Sequence, residues 1–454
     1  MVVRPAPQRP VEFPVGRGDR LVVDTGVAHG HVAVGIELPV LVAVRAEPVA
    51  GIVVPLVGKT HGNAVPVACP QILDQPVVEF ARPFARQQRD DVELAYICDV
   101  DSRIFKDRSK LIEDTQGKAP KCVQNIKEVL DDKDVDVIIN ATPDHWHALG
   151  TIWACQAGKD VYVEKPTSHN IWESRKMVEA ARKYGRIVQV GAQNRSAPYC
   201  HKAFDYIRSE AFGSVHFARV INSKERGAIG KKPDGEPPAG VDYDMWLGPA
   251  PWAPYTRDRC HWNFRWIFDY SGGMLTDWGA HLLDGAQWGN DTEHTGPVEV
   301  EGRGVFCQGG LYDTAREYHL QYAYADGVKL FVDSGEPSLR FEGTEGWVGN
   351  RGWRGKLEAS RPAILDSAIG PNDVHLYTCP GGEQRNFLDC VKSRQACYFP
   401  PEIGQRCFTI AHIGNIAMRL GRKLRWNPQE ERFVNDDEAN RMLRRTARSP
   451  WDLL

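Results

Sequence analysis

From Val92 onward the chain alternates short apolar runs with longer charged or amphipathic ones, and this alternation constrains the fold more than any other feature. "VELAYIC", "VDVIINAT" (Val135 to Thr142), "DVYVEKP" and "RIVQVGAQ" have strand length. The second is apolar almost throughout, as a strand buried on both faces must be. Between them lie "SRIFKDRSKLIEDTQ", "HALGTIWACQAG" and "NIWESRKMVEAARKYG", which have helical length. The last two run into Gly158 and Gly185, where a left-handed residue stops a helix. Such alternation predicts an α/β fold with a doubly wound parallel sheet.

Past Ser196 the grammar changes. One helix through "HKAFDYIRSEAFG" is followed by longer β-rich pieces, "SVHFARVINS", "PVEVEGRGVF", "REYHLQYAYADG", "VKLFVDS" and "LRFEGTEGWVG". These predict a second α/β domain, residues 196–454, on a mostly antiparallel open sheet. The late helices "EQRNFLDCVKSR" and "IAHIGNIAMRLGRKL" are expected to pack on that sheet or back on the first domain, residues 90–195.

Residues 1–89 obey neither pattern. Their first 80 are rich in Val, Pro, Gly, Ala and Arg, with one Lys (Lys59) and no Tyr or Trp. Pro interrupts "GIELPVLVAV" and "GIVVPLVGKT", which argues against central strands. The segment reads either as a poorly ordered extension or as a stretch foreign to the protein, from a mis-assigned start or a shifted reading frame.

With 454 residues, 42% apolar and 25% charged, the chain suits two soluble domains. A net charge of -3 gives no reason to expect nucleic acid or an anionic membrane as partner. Eleven Cys without a C-x-x-C pair fit reduced thiols. With no membrane-length apolar run and no signal-peptide pattern, the expected compartment is the cytoplasm.

In a doubly wound sheet, ligands bind at the carboxyl ends of the strands. Asp99 ends the first run, where a carboxylate can accept from ribose hydroxyls and repel a 2'-phosphate, favouring NAD over NADP; a solvated loop acid is the alternative. "ATPDHWH" follows the next strand: Thr142 and Pro143 make the turn, and Asp144 can cap a helix carrying His145 and His147. Those two His point in different directions on a helix and lack a third ligand, so no metal site is expected. "EKP" (Glu164, Lys165, Pro166) closes the next strand, and its ammonium can meet an oxygen as negative charge develops. In "SGGMLTDWGAHLLDGAQW", Gly272 and Gly273 allow close backbone approach, and Asp277 and His281 fall on one helical face. A His with a carboxylate neighbour is a natural base near neutral pH. Trp278 reads as packing. In "HWNFRW", His261, Trp262 and Arg265 set aromatic faces beside polar groups, which suits a carbohydrate.

In this order, "CDVD", "ATPDHWH", "EKP", "GGMLTDWGAH", "FEGTEGW" and "NFLDCVKSR" resemble the glucose–fructose oxidoreductase / inositol dehydrogenase / rhizopine catabolism family, from about Asp90 to Leu454. The resemblance implies a Rossmann-like domain, a C-terminal α/β domain carrying a sugar or polyol substrate, NAD(P), and dimers or tetramers. It implies that Lys165 binds the reacting hydroxyl, His281 removes its proton and Asp277 holds His281. Asp99, Thr142, Pro143, Asp144, His147, Glu164, Lys165 and Gln193 would line the cofactor, and His261, Trp262 and Arg265 the substrate. One departure stands out: no Gly lies between Asn63 and Gln116, so the glycine turn that cradles the pyrophosphate is missing, and with it the expected first, central strand. Three functions follow: a dehydrogenase, a glycosidase using transient oxidation by retained NAD, or a carbohydrate-binding protein that lost its cofactor.

Overall fold

The structure is a computed structural model that describes residues 40–46, 92–196, 198–209, 211–223, 227–351, 355–366 and 370–452. Six strands form the first sheet: β1 (Val40–Ala46), β2 (Val92–Cys98), β3 (Lys121–Val123), β4 (Val137–Ala141), β5 (Asp160–Val163) and β6 (Val188–Val190). Their order is β3-β2-β1-β4-β5-β6. β2 and β3 pair in parallel, as do β4, β5 and β6. The helices between them are α1 (Phe105–Gln116), α2 (Ile126–Asp131), α3 (Asp144–Gln156) and α4 (Ile171–Lys183). Every residue of β4 is buried, which explains why it is apolar apart from Asn140, whose Nδ2 donates to the His147 carbonyl at 3.0 Å. Gly158 and Gly185 adopt φ of +83° and +60° just beyond α3 and α4, as their sequence positions predict.

The central slot corrects two expectations. It is not lost, and a segment read as too Pro-rich for a central strand fills it. β1 runs antiparallel to both neighbours, Val42 pairing with Ile97 on one side and Ile139 on the other. The seven residues "VLVAVRA" contain no Pro; Pro39 and Pro48 fall outside this run in the sequence. The sheet is therefore doubly wound and parallel except at its centre.

The second sheet has nine strands, β7 (Val215–Ser223), β8 (Glu299–Phe306), β9 (Ala315–Ala323), β10 (Lys329–Gly335), β11 (Ser338–Gly343), β12 (Gly346–Arg351), β13 (Leu357–Ala359), β14 (Leu424–Asn427) and β15 (Arg432–Phe433). Their order is β13-β12-β11-β7-β10-β9-β8-β14-β15, antiparallel except where β7 meets β10. The remaining helices are α5 (Pro198–Ile207), α6 (Tyr243–Leu247), α7 (Trp278–Gly289), α8 (Pro362–Leu365), α9 (Glu383–Ser393), α10 (Pro401–Leu420) and α11 (Asp437–Arg441). Phe204 of α5, Leu283 of α7 and Ile410 of α10 join Val220, Leu320 and Val332 in one core.

Both late helices reach back to the first sheet. Phe387 and Leu388 of α9 pack with Leu94, Ile139 and Tyr162. On α10, a Cβ on Gly404 would come within 2.9 Å of Thr167 and Val190, so a glycine is what lets the helix lie that close.

Candidate functional site

The site forms where the carboxyl end of β5 meets the start of α7. Lys165, two residues past β5, donates from Nζ to Oδ1 of Asp277 at 2.5 Å. Arg265 places its Nε 3.4 Å from Oδ2 of the same carboxylate. All three side chains are at least nine-tenths buried. Burial alone would raise the Asp277 pKa, but the charges of Lys165 and Arg265, with His281 a turn away, hold it below the usual carboxylate range. His281 sits one helical turn beyond Asp277 and lines a pocket with Asn194 and Asn350. The Asn194 Oδ1 is buried there without a hydrogen-bond partner among the described residues.

Glu164 is fully buried, and its Oε2 accepts from the Lys165 backbone N–H at 3.3 Å. It fits because residue 191, at the end of β6, is Gly: a Cβ there would lie 2.5 Å from Oε1. His147 ties two loops together, its ring nitrogens facing the carbonyls of Pro166 and, at 2.7 Å, Thr142. His145 lies on a different side of α3 and meets the Trp246 carbonyl at 2.9 Å. Asp144 does not cap α3. It is the first helical residue, behind Pro143, and its Oδ2 accepts from Ser271 Oγ at 2.6 Å. Among the described residues no group of three or more His, Cys, Asp and Glu is arranged to hold a metal ion.

The glycine pair has a different role from the one expected. A Cβ on Gly272 would meet Thr276 at 2.4 Å and Asn415 at 2.9 Å, and Gly273 has φ +76°. Both therefore serve the chain's own turn into α7.

Asp99 lies at the opposite end of the crevice. It is buried, so it is not a solvated loop acid, and its Oδ1 accepts from the Asp101 N–H at 2.7 Å. Burial pushes its pKa well up despite that bond. The segment following Gly240 covers this end: Asp242 N–H bonds to the Val100 carbonyl at 2.9 Å, and Ser102 and Gln124 both donate to the Gly240 carbonyl. His261 belongs here, lining a pocket with Asp99 and Asp101 rather than joining Lys165. Trp262 supports Arg265, whose guanidinium lies 4.4 Å from its ring centroid. Gln193 begins a short helical turn, and its side chain lies outside the described residues.

Sequence reasoning missed a second buried ion pair. Arg195, just past β6, donates to both Asp284 oxygens at 2.6–3.1 Å and lies over the Phe399 ring at 4.2 Å. Asp284 follows Asp277 by seven residues, a spacing on one helical face that could have suggested it.

Residues 78–192 match the model of an oxidoreductase family's NAD-binding Rossmann fold, and residues 228–453 that of the oxidoreductase family's C-terminal alpha/beta domain. The chain is 38% identical over 284 residues to scyllo-inositol 2-dehydrogenase (NAD(+)) of Bacillus subtilis, covering 59% of this chain and 70% of the relative. It is 24% identical over 254 residues to the uncharacterized oxidoreductase YrbE of the same organism, covering 52% of this chain. It spans 62% of that relative's length, and a third or less of some other curated relatives. Among solved structures, the WlbA dehydrogenase of Bordetella pertussis, in complex with NADH and UDP-GlcNAcA, shares the fold at a TM-score of 0.56 and 17% identity, covering 77% of this chain and 96% of the other.

Proposed function

The chain belongs to the glucose–fructose oxidoreductase / inositol dehydrogenase / rhizopine catabolism family of NAD-binding oxidoreductases, and from that premise we propose that it oxidises a hydroxyl of a sugar, polyol or glycoside. The observation that carries the reading is the buried Lys165–Asp277 pair at the carboxyl end of β5, with His281 one turn further along α7. A relative named scyllo-inositol 2-dehydrogenase supports the polyol class.

The described residues fit the two ends of a nicotinamide dinucleotide. Asp99 and Thr142 line a pocket at the strand ends, and Lys165 stands at the reacting end. They supply no glycine turn for the pyrophosphate, because β1 enters the central slot reversed. When bound, the nicotinamide supplies a hydride acceptor.

The residues of the chain account for the rest of the reaction. The Lys165 ammonium hydrogen-bonds the reacting hydroxyl oxygen and stabilises it as the O–H proton leaves. That proton passes to a ring nitrogen of His281, whose charged form the ionised Asp277 favours. Asp277 also fixes the Lys165 rotamer, and Arg265 keeps Asp277 ionised although it is buried. The Asn194 carbonyl oxygen, beside His281, is suited to accept from a second hydroxyl.

The test is an absorbance assay of the full-length chain with NAD and a panel of inositols, aldoses and glycosides. Substrate-dependent NADH formation supports the reading. Sugar release without net NADH points to a glycosidase, and sugar binding with neither product to a binding protein.

A further inference from the structure

Lys165 follows the carboxyl end of β5, and β6 lies beside β5 in parallel. At the opposite edge of the sheet, where β6 begins, a cleft of about 420 Å³ opens. The end of α4, the turn into β6 and the segment joining α9 to α10 form its walls. That volume falls within the range of about 300–1,000 Å³ seen for small-molecule sites. Ile187, Val188, Ala396 and Pro400 give it apolar surface.

Three arginines line the cleft, Arg182, Arg186 and Arg394, against one carboxylate, Glu402. Two of them are anchored at the rim. Arg394 donates to both oxygens of Asp160 at 2.6 and 3.0 Å and to the Gly185 carbonyl at 2.9 Å. Arg186 donates from Nε to the Tyr184 carbonyl and from Nη1 to the Gly158 carbonyl, each at 2.9 Å. Two carbonyls hold this guanidinium without neutralising it, and among the described residues it meets no carboxylate. Glu402 does not cancel the excess. It accepts from Arg175, Arg182 and Arg406 at 2.7, 2.8 and 3.0 Å, so one negative charge is shared among three positive ones. Guanidinium groups fixed in this way lose little freedom on binding, and their forks match the oxygens of a phosphate.

We infer that this cleft binds a small organic phosphate monoester, at a site separate from the crevice that holds Lys165. The phosphate meets Arg186 and Arg182, and the apolar body of the ester lies against Ile187, Val188 and Pro400. A monoester carries a charge of about −1.5 to −2 near neutral pH, which answers the unneutralised cations better than a single carboxylate does. The site goes beyond the dehydrogenase reading and does not depend on whether NAD binds.

The experiment is calorimetric titration of the full-length chain, at low salt and near neutral pH, with phenyl phosphate and separately with inorganic phosphate. The wild type should bind phenyl phosphate with a Kd on the order of 0.1–1 mM. Inorganic phosphate should bind about tenfold more weakly, for want of the apolar contact. Arg186→Gln should weaken phenyl phosphate about tenfold. Ala396→Trp, which fills the cleft from an exposed position and touches no charge, should weaken it as much. Lys165→Ala should leave it unchanged. Thermal melting checks both cleft variants, and Ala396→Trp keeps the test decisive if Arg186→Gln loosens the turn. No binding by the wild type at about 10 mM overturns the inference. So does unchanged affinity in both cleft variants, or a loss in Lys165→Ala equal to theirs, which would place the ligand in the crevice. Equal affinity for the two phosphates also overturns it, because the apolar surface would then take no part.

Discussion

At the Lys165 end of the crevice, buried charges are paired across elements. Asp277 of the second domain holds Lys165 of the first, Arg265 approaches the same carboxylate, and Asp284 of α7 clamps Arg195 from the turn past β6. In the central slot of the first sheet, β1 is paired on both sides by a ladder of backbone hydrogen bonds, and it runs the wrong way for a strand that feeds a glycine turn. A ladder can be completed in either direction, so β2 and β4 are paired whichever way β1 runs. A phosphate cradle cannot, because it needs a strand whose carboxyl end opens into a helix N-terminus. The sheet thus keeps its architecture while the middle of the cofactor path loses its customary floor.

If the Lys165 end is complete, its residues should be the most sensitive in the molecule. His281→Ala should lower kcat about 10³-fold, the middle of the range for general acid–base groups, with NADH affinity within twofold of wild type. Lys165→Ala should lower kcat as severely. An unchanged kcat for His281→Ala, in steady-state assays with a turned-over sugar, would remove it from the role and break the contrast at its stronger side.

The central slot is probed by Val42→Pro. In a strand paired on both sides, proline deletes a ladder donor and leaves a carbonyl unpaired, costing about 3 kcal/mol. Thermal melting should show a drop of several degrees. A melting temperature equal to wild type would mean that β1 contributes nothing to the sheet, and the comparison would then be between a site and an empty slot.

The strands and helices from Val92 onward were legible because each has a strong period and a clear stop, as at Gly158 and Gly185. Lys165, Asp277 and His281 were legible because strand ends and an i,i+4 spacing place them. β1 was not, because the prolines flanking it dominate a seven-residue window, and only the open slot between β2 and β4 selects it. Contacts between residues far apart in sequence were also hidden. Nothing local marks "YDMWLG" as a cover for the strand ends about 100 residues earlier, or Arg195 as the partner of Asp284. His261 shows the converse error: adjacency to Arg265 suggested a shared site, but the chain turns between them and delivers His261 to Asp101.

Three buried histidines give the folded protein a pH liability. Burial lowers the pKa of His145 to about 3 and of His412 to about 4, and lowers that of His169 well below its usual value. These rings stay neutral in the folded protein while the unfolded chain takes up protons below about pH 6.5, so stability falls as pH drops through that value. At pH 5, His145 and His412 should each cost about 2 kcal/mol. Asp277, with a lowered pKa, stays ionised across this window and adds no slope. Melting temperatures from pH 7.5 to 5 should decline steeply, and His412→Gln should flatten part of the decline. A level profile would show that these rings are hydrated or already charged.

The smallest effect is expected at Asp99, and it separates two reasons for preferring NAD. An ionised carboxylate would accept from a ribose hydroxyl and repel a 2'-phosphate, whereas a carboxyl kept protonated by burial would do neither through charge. Burial dominates here, since the Asp101 N–H and the Arg108 charge do not bring the pKa back down. Asn is close in shape to the neutral acid, so Asp99→Asn should change NADH affinity less than about threefold, under roughly 0.7 kcal/mol. NADPH should remain the weaker ligand in the variant, because among the described residues no Lys or Arg lines either adjoining pocket to receive the phosphate. A tenfold loss of NADH affinity, or NADPH binding as tightly as NADH, would show that Asp99 acts as a charge, and that the far end of the crevice relies on ionised groups as the Lys165 end does.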